Sequence, residues 1–101
     1  MFEVNGKMYE LKYNIKTLEK LEATTGKGVM ANLSQSGGIL SITDLKIYFA
    51  LALFNEDGNR VGQKQGLDIA EELIMSEGYA KINESVVVTL DRDCPFLFQA
   101  N

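Results

Sequence analysis

Few residues of this chain have side chains suited to catalysis. The chain has 101 residues, no histidine and a single cysteine, Cys94. Without histidine, neither a histidine general base nor a Ser-His-Asp triad can be built. Cys94 lacks a histidine that could lower its pKa, and it follows a predicted helix C-terminus, where the helix dipole disfavours a thiolate. We therefore expect Cys94 to be a structural or incidental thiol.

Among the acidic residues, two close pairs are candidates for catalysis: Glu71 with Glu72 and Asp91 with Asp93. Glycoside hydrolysis requires two carboxylates at a defined separation in a cleft, whereas the periodicity places these pairs on solvated helix faces. The turn signal at 57–59 matches part of a calcium loop but lacks the glutamate that ends the twelve-residue pattern. The four glycines at 26, 28, 37 and 38 form no phosphate-binding motif. We expect no catalytic residue, no metal site and no cofactor, and hence no enzyme.

The charge balance bears on which partners the chain can bind. The formal net charge is −4, and the ten lysines and arginines are scattered along the sequence. Nucleic acids and anionic membranes are bound by clustered basic residues, so neither is an expected partner. The longest apolar run, 47–54, is too short to cross a bilayer, and the N-terminus does not read as a signal peptide. The sequence predicts one cytoplasmic domain spanning 1–101.

The predicted fold is α+β and mostly α, with an N-terminal β-hairpin over about 2–13 followed by four to five helices. Asn5-Gly6 lies between two short strands and supplies the two positive-φ residues of a type I′ turn. Tyr9, Leu11 and Tyr13 alternate with polar residues, which gives the hairpin one apolar face. A two-stranded hairpin is marginal alone, so we expect it to pack on the helices.

Helical periodicity and capping residues predict the next elements. Asn14 reads as the N-cap of a helix over 15–24 that ends at Gly26. A short helix over 29–33 follows, and Ser41 or Thr43 begins a third helix, the most buried one. A fourth helix runs from about 63 to 76, with Gly66 weakening its first turns by about 1 kcal/mol. The predicted apolar positions of helices one, three and four are Ile15, Leu18, Leu21; Ile42, Leu45, Phe49, Ala52, Leu53; and Leu67, Ala70, Leu73, Ile74.

The last segment, 79 to about 93, carries the candidate binding surface. Its β-branched run at 86–88 is compatible with a strand, but the polar residues Asn83, Glu84 and Asp91 fit a helix surface better. Pro95 ends this helix and an apolar tail follows. The candidate protein-binding residues are Ile82, Val86, Leu90, Phe96, Leu97 and Phe98. The alternative is that these side chains close the core. Surplus apolar surface also predicts a homo-oligomer at high concentration.

The order of these elements resembles the tail assembly chaperone family of long-tailed, siphovirus-type phages and prophages of Gram-positive bacteria. The resemblance begins with the hairpin closed by Asn5-Gly6 and the helix after it, over 2–22, with glycines at 26 and 28. It continues with the helix opening at 41–45, the turn at 57–59 and the joint Glu77-Gly78. It covers most of the chain in layout, and none of its motifs is a chemical signature.

The resemblance implies a non-enzymatic assembly factor. Proteins of that family act in the host cytoplasm and are absent from the mature virion. They bind and solubilise the tape measure protein and help to recruit tail tube protein. Members often have a second, longer product made by ribosomal frameshifting. The alternatives are another phage or prophage structural or completion protein of the tail or head, or a small ligand-binding domain or enzyme. A long helical coding sequence directly downstream would favour the chaperone.

Overall fold

The fold of residues 1–99, described by a computed structural model, is α+β and mostly helical. The hairpin consists of β1 (Phe2–Val4) and β2 (Lys7–Leu11), and a third strand, β3, spans Leu53–Asn55. The five helices are α1 (Ile15–Thr25), α2 (Val29–Ser36), α3 (Ile42–Leu51), α4 (Gln63–Glu77) and α5 (Tyr79–Asp93), followed by a 3₁₀ turn at Pro95–Leu97. The predicted fold class is confirmed. The last two residues of the predicted domain, 100 and 101, lie outside the described part.

The hairpin turns where its sequence predicts. Asn5 has φ 53° and Gly6 has φ 78°, both in the left-handed region that a type I′ turn requires. β1 and β2 pair antiparallel, with Phe2 opposite Tyr9 and Val4 opposite Lys7. The alternating side chains Tyr9, Leu11 and Tyr13 are buried, so the apolar face of the hairpin lies against the helices.

The third strand corrects the prediction that α3 extends through Leu53. The helix ends at Leu51, and Leu53 instead pairs with Leu11 in an antiparallel ladder, which gives the sheet order β1-β2-β3. The chain then reverses between Asn55 and Asn59, and Phe54 forms a bridge with Arg60. A continuous apolar run fits either a buried helix or a buried strand, and here the unpaired edge of β2 determines where the helix stops.

Local capping determines the ends of α1. The Asn14 side chain accepts a hydrogen bond of 2.9 Å from the Thr17 backbone N–H, and Gly26 ends the helix with φ 73°. The predicted apolar stripe is right for Leu18 and Leu21 and wrong for Ile15, which is 60% exposed. Thr17 takes the inward position instead, because its hydroxyl is satisfied by the Asn14 side chain.

Helix α3 is central to the packing, as predicted. Ser41, rather than Thr43, is its N-cap, and the Ser41 hydroxyl accepts from the Asp44 backbone N–H at 3.1 Å. Leu45, Tyr48 and Phe49 are inaccessible to solvent, whereas Ile42, expected in the apolar stripe, is exposed. Ile42 occupies the first position of the helix, directly after its N-cap.

Gly66 permits the close packing of α4 on α3. A Cβ atom at Gly66 would lie 3.0 Å from the Ala50 Cα and 3.1 Å from the Ala50 carbonyl oxygen. This glycine therefore does more than weaken the first turns of α4. The buried stripe of the helix consists of Gly66, Ile69, Ala70 and Leu73, while Leu67 is only partly buried. Ala70 and Leu73 are predicted correctly, whereas Ile74, like Leu67, is only partly buried.

Helix α5 also packs against the core, through Ile82, Val86 and Leu90. It is continuous through the β-branched residues, so the strand alternative at 86–88 is wrong. Within residues 1–99, none of the helices combines the length and apolar character needed to cross a membrane.

Candidate protein-binding surface

The six predicted binding residues separate into two groups in the structure. Ile82, Val86 and Leu90 are completely buried in the core shared by all the helices and the sheet, and Leu97 is 8% exposed. Their burial agrees with the alternative that these side chains close the core, because the stripe that marks a docking face also marks a core-facing helix. Phe96 and Phe98 are 48% and 45% exposed and are available to a partner.

Phe98 borders an apolar groove between α2 and α5. The groove has a volume of about 220 Å³ and is lined by Met30, Leu33, Ser34, Gly38, Val87 and Phe98. We call it the α2–α5 groove. Leu33 is buried, Val87 is half-buried and Met30 is 52% exposed. Methionine and phenylalanine at the border offer an adaptable apolar contact surface.

The α2–α3 loop beside the groove is bound tightly to α5. Asn83, predicted on the helix surface, is buried and uses both ends of its amide. Its Nδ2 donates to the Gly38 carbonyl at 2.8 Å, and its Oδ1 accepts from the Leu40 backbone N–H at 3.0 Å. The Tyr79 hydroxyl donates to the Leu40 carbonyl. These bonds leave no free polar backbone group at Gly38 and Leu40, so the groove is pre-formed and apolar.

A buried polar network holds α2 in place on the opposite side. The Asp44 carboxylate accepts from Lys27 Nζ at 2.7 Å and from Asn32 Nδ2 at 3.2 Å, and Asn32 also donates to the Tyr48 hydroxyl. The side chain of Glu22 accepts from the Val29 N–H, which supplies the cap that Gly28 lacks. No buried side-chain polar atom lacks a hydrogen-bond partner among the described residues. The network therefore holds α2 against α3 through Asp44 and Tyr48.

Phe96 borders a second, wider hollow, of about 470 Å³, beside the start of α1. Ile15 and Phe96 contribute its apolar part, and Asp93 and Cys94 line it as well. We call it the α1–tail hollow. The structure therefore places the two exposed phenylalanines of the tail on different cavities, with Leu97 buried between them.

The hairpin is bound to the end of α5 by two adjacent residues. Asp93 Oδ2 accepts from the Tyr13 backbone N–H at 2.9 Å, and Arg92 Nη2 donates to the Leu11 carbonyl at 3.0 Å. The pair Arg92–Asp93, at 2.7 Å, lowers the pKa of the Asp93 carboxyl, and the Tyr13 N–H lowers it further. Asp93 was predicted on a solvated face; it is instead a link between the first and last elements.

The groups considered for catalysis differ in their exposure to solvent. Cys94 is fully buried, and burial, followed by the charge of Asp93, raises the pKa of its thiol. Burial also raises the pKa of the Tyr13 hydroxyl, which donates to the Tyr48 carbonyl at 2.8 Å. Glu71, Glu72 and Asp91 are exposed. Across residues 1–99, no three His, Cys, Asp or Glu side chains lie close enough to hold a metal ion.

Sequence reasoning missed three residues of the exposed apolar surface, Met30, Val87 and Ile15. Val87 is part of the apolar run 86–88 but lies beside the stripe rather than on it, and Met30 is the second residue of the short helix α2. For Val87, the available signal was an apolar residue beside a helical stripe.

Comparison with protein-family models, curated proteins and solved structures finds no match to this chain.

Proposed function

We propose that the protein is a non-enzymatic tail assembly chaperone of a long-tailed phage or prophage. In this role it binds and solubilises the tape measure protein and helps to recruit tail tube protein in the host cytoplasm, without entering the mature virion. The proposal is supported by the resemblance of the sequence in layout to that family, over the hairpin, the capped helix and the later turns.

The observation that carries the proposal is the α2–α5 groove. It is apolar, its neighbouring loop is fixed by Asn83 and Tyr79, and half-exposed Met30 and Phe98 border it. An amphipathic helix docks its apolar side chains into a groove of this kind. A tape measure protein is a long helical client, and covering its apolar stripe would keep it soluble until assembly.

Co-expression with the product of a long helical coding sequence directly downstream tests the proposal. The groove variant is Met30→Ala with Phe98→Ala; both side chains are half-exposed, so its melting temperature should fall by only a few degrees. The matched control is Met75→Ala, since Met75 is 81% exposed on α4, away from the groove. We expect the client to be soluble and to co-purify with the wild type and the control, and to be lost with the groove variant.

Two results would overturn the proposal. A client that is equally soluble with and without this protein does not require it as a chaperone. Co-purification unchanged in a folded groove variant would place the binding surface elsewhere and remove the observation on which the proposal rests.

A further inference from the structure

Within the described residues, two unpaired carboxylates lie on the α5 face beside the α2–α5 groove. Along α5, Glu84 and Asp91 are exposed and lie three residues before and four residues after Val87, so they occupy the same helix face as this groove residue. Val88, 58% exposed, flanks the same face. An apolar strip bordered by two carboxylates therefore runs along the outside of α5.

The basic residues of α5, Lys81 and Arg92, are already paired. Lys81 forms an ion pair with Glu77, and Arg92 with Asp93. Lys27, on the opposite side of α2, pairs with Asp44. Among residues 1–99, neither Glu84 nor Asp91 takes part in an ion pair. On the α2 side, the groove is bordered by Met30 and Ser34, which carry no charge. In this part of the chain, Glu84 and Asp91 are thus unpaired carboxylates on the α5 face that carries Val87.

We propose that the groove selects a client helix whose apolar stripe is bordered by lysine or arginine. The apolar side chains of such a helix would fill the space between Met30, Val87 and Phe98. Its basic residues would pair with Glu84 and Asp91. A helix with acidic borders would place like charges together, which opposes binding and provides specificity. This inference rests on the proposed function, because it describes the client of the same groove.

Two synthetic peptides test the charge requirement. Both are fluorescein-labelled 18-residue amphipathic helices with the same leucine stripe; one has lysine at the bordering positions and the other has glutamate. Fluorescence anisotropy with the full-length protein measures their dissociation constants at low and high salt. We expect the lysine peptide to bind at least about 10-fold more tightly than the glutamate peptide, with an affinity that falls as salt rises.

Matched variants separate a local effect from the overall negative charge of the protein. Glu84→Gln with Asp91→Asn removes the two groove carboxylates, and we expect binding of the lysine peptide to weaken about 3- to 10-fold. Asp68→Asn with Glu72→Gln removes the same charge from exposed positions on α4 and should leave the affinity unchanged. All four residues are exposed, so both variants should fold, as circular dichroism will verify.

The inference is overturned if the lysine peptide does not bind, if the two peptides bind equally, or if the α4 variant weakens binding as much as the groove variant. Its failure is distinguishable from failure of the proposed function. If the tape measure protein is lost with Met30→Ala and Phe98→Ala but is retained with Glu84→Gln and Asp91→Asn, the chaperone function stands and the charge selection does not.

Discussion

At the scale of single residues, the roles predicted correctly are those of side chains that act within one turn of their own helix. Asn14 and Ser41 cap α1 and α3 because their oxygens reach backbone N–H groups three residues ahead. Asn83 and Asp93 were misassigned to solvent because their partners lie 43 and 80 residues away in sequence. Periodicity records that a polar residue lies beside a stripe, but it cannot show which distant backbone group the residue meets.

The lowered pKa of Asp93 leads to a prediction about the stability of the fold in acid. The Arg92 guanidinium and the Tyr13 N–H lower its pKa in the folded state below the usual value of about 3.9. The native state therefore releases this proton more readily than the unfolded state. The resulting stabilisation is fully present above about pH 5 and is lost as the pH falls through the native pKa. We expect Asp93→Asn to reduce the free energy of unfolding at pH 7 by about 1 kcal/mol.

Urea unfolding of the wild type and Asp93→Asn between pH 2 and pH 8 measures this effect. The difference between the two proteins should shrink as the pH falls and disappear below the native pKa of Asp93. Asp91→Asn, an exposed position on the same helix, serves as the control and should show a much smaller difference. A difference for Asp93→Asn that does not depend on pH would show that the carboxylate charge is not what binds the hairpin to α5.

At the scale of elements, hairpin and helix positions follow from the sequence, whereas the third strand does not. Turn and cap residues mark where α1 begins and ends and where the hairpin reverses. No such residue separates α3 from β3: the apolar run continues from Ile47 to Phe54, and only the pairing of Leu53 with Leu11 shows where the helix stops. A three-residue strand is too short for its own periodicity to be recognised.

The substitution Gly66→Ala tests the close packing of α4 on α3. Helix propensity alone favours Gly66→Ala by about 1 kcal/mol. A Cβ atom 3.0 Å from the Ala50 backbone must instead push α4 away from α3, and overpacking of this kind costs about 1–3 kcal/mol. We expect a net loss of stability of about 1 kcal/mol and a lower melting temperature.

Thermal unfolding of Gly66→Ala, with Gln65→Ala as the control at the exposed neighbouring position, decides between the two effects. Gln65→Ala should have a melting temperature close to that of the wild type. A Gly66→Ala variant more stable than the wild type would mean that α3 and α4 do not approach as closely as this packing requires.

At the scale of the whole molecule, one set of apolar residues forms the core and a different set remains at the surface. The stripe of α5 is used inside, where Ile82, Val86 and Leu90 pack, and the residues available to a partner are Met30, Val87 and Phe98 at the α2–α5 groove. The sequence indicated that residues 42–54 and the tail 96–98 together have more apolar residues than one core needs. It could not indicate which of them remain outside, because that depends on how α2 packs beside α5. The predicted homo-oligomer stays a prediction.

Site-specific photo-crosslinking tests whether a client protein is held at the α2–α5 groove. A benzophenone amino acid is placed at position 30, in the groove, or at position 75, on the exposed face of α4, and the protein is co-expressed with the tape measure candidate. We predict a covalent adduct with the client after irradiation of the position-30 protein and none with the position-75 protein. Adducts of equal yield at both positions, or an adduct at position 75 alone, would show that the client is not held at the groove.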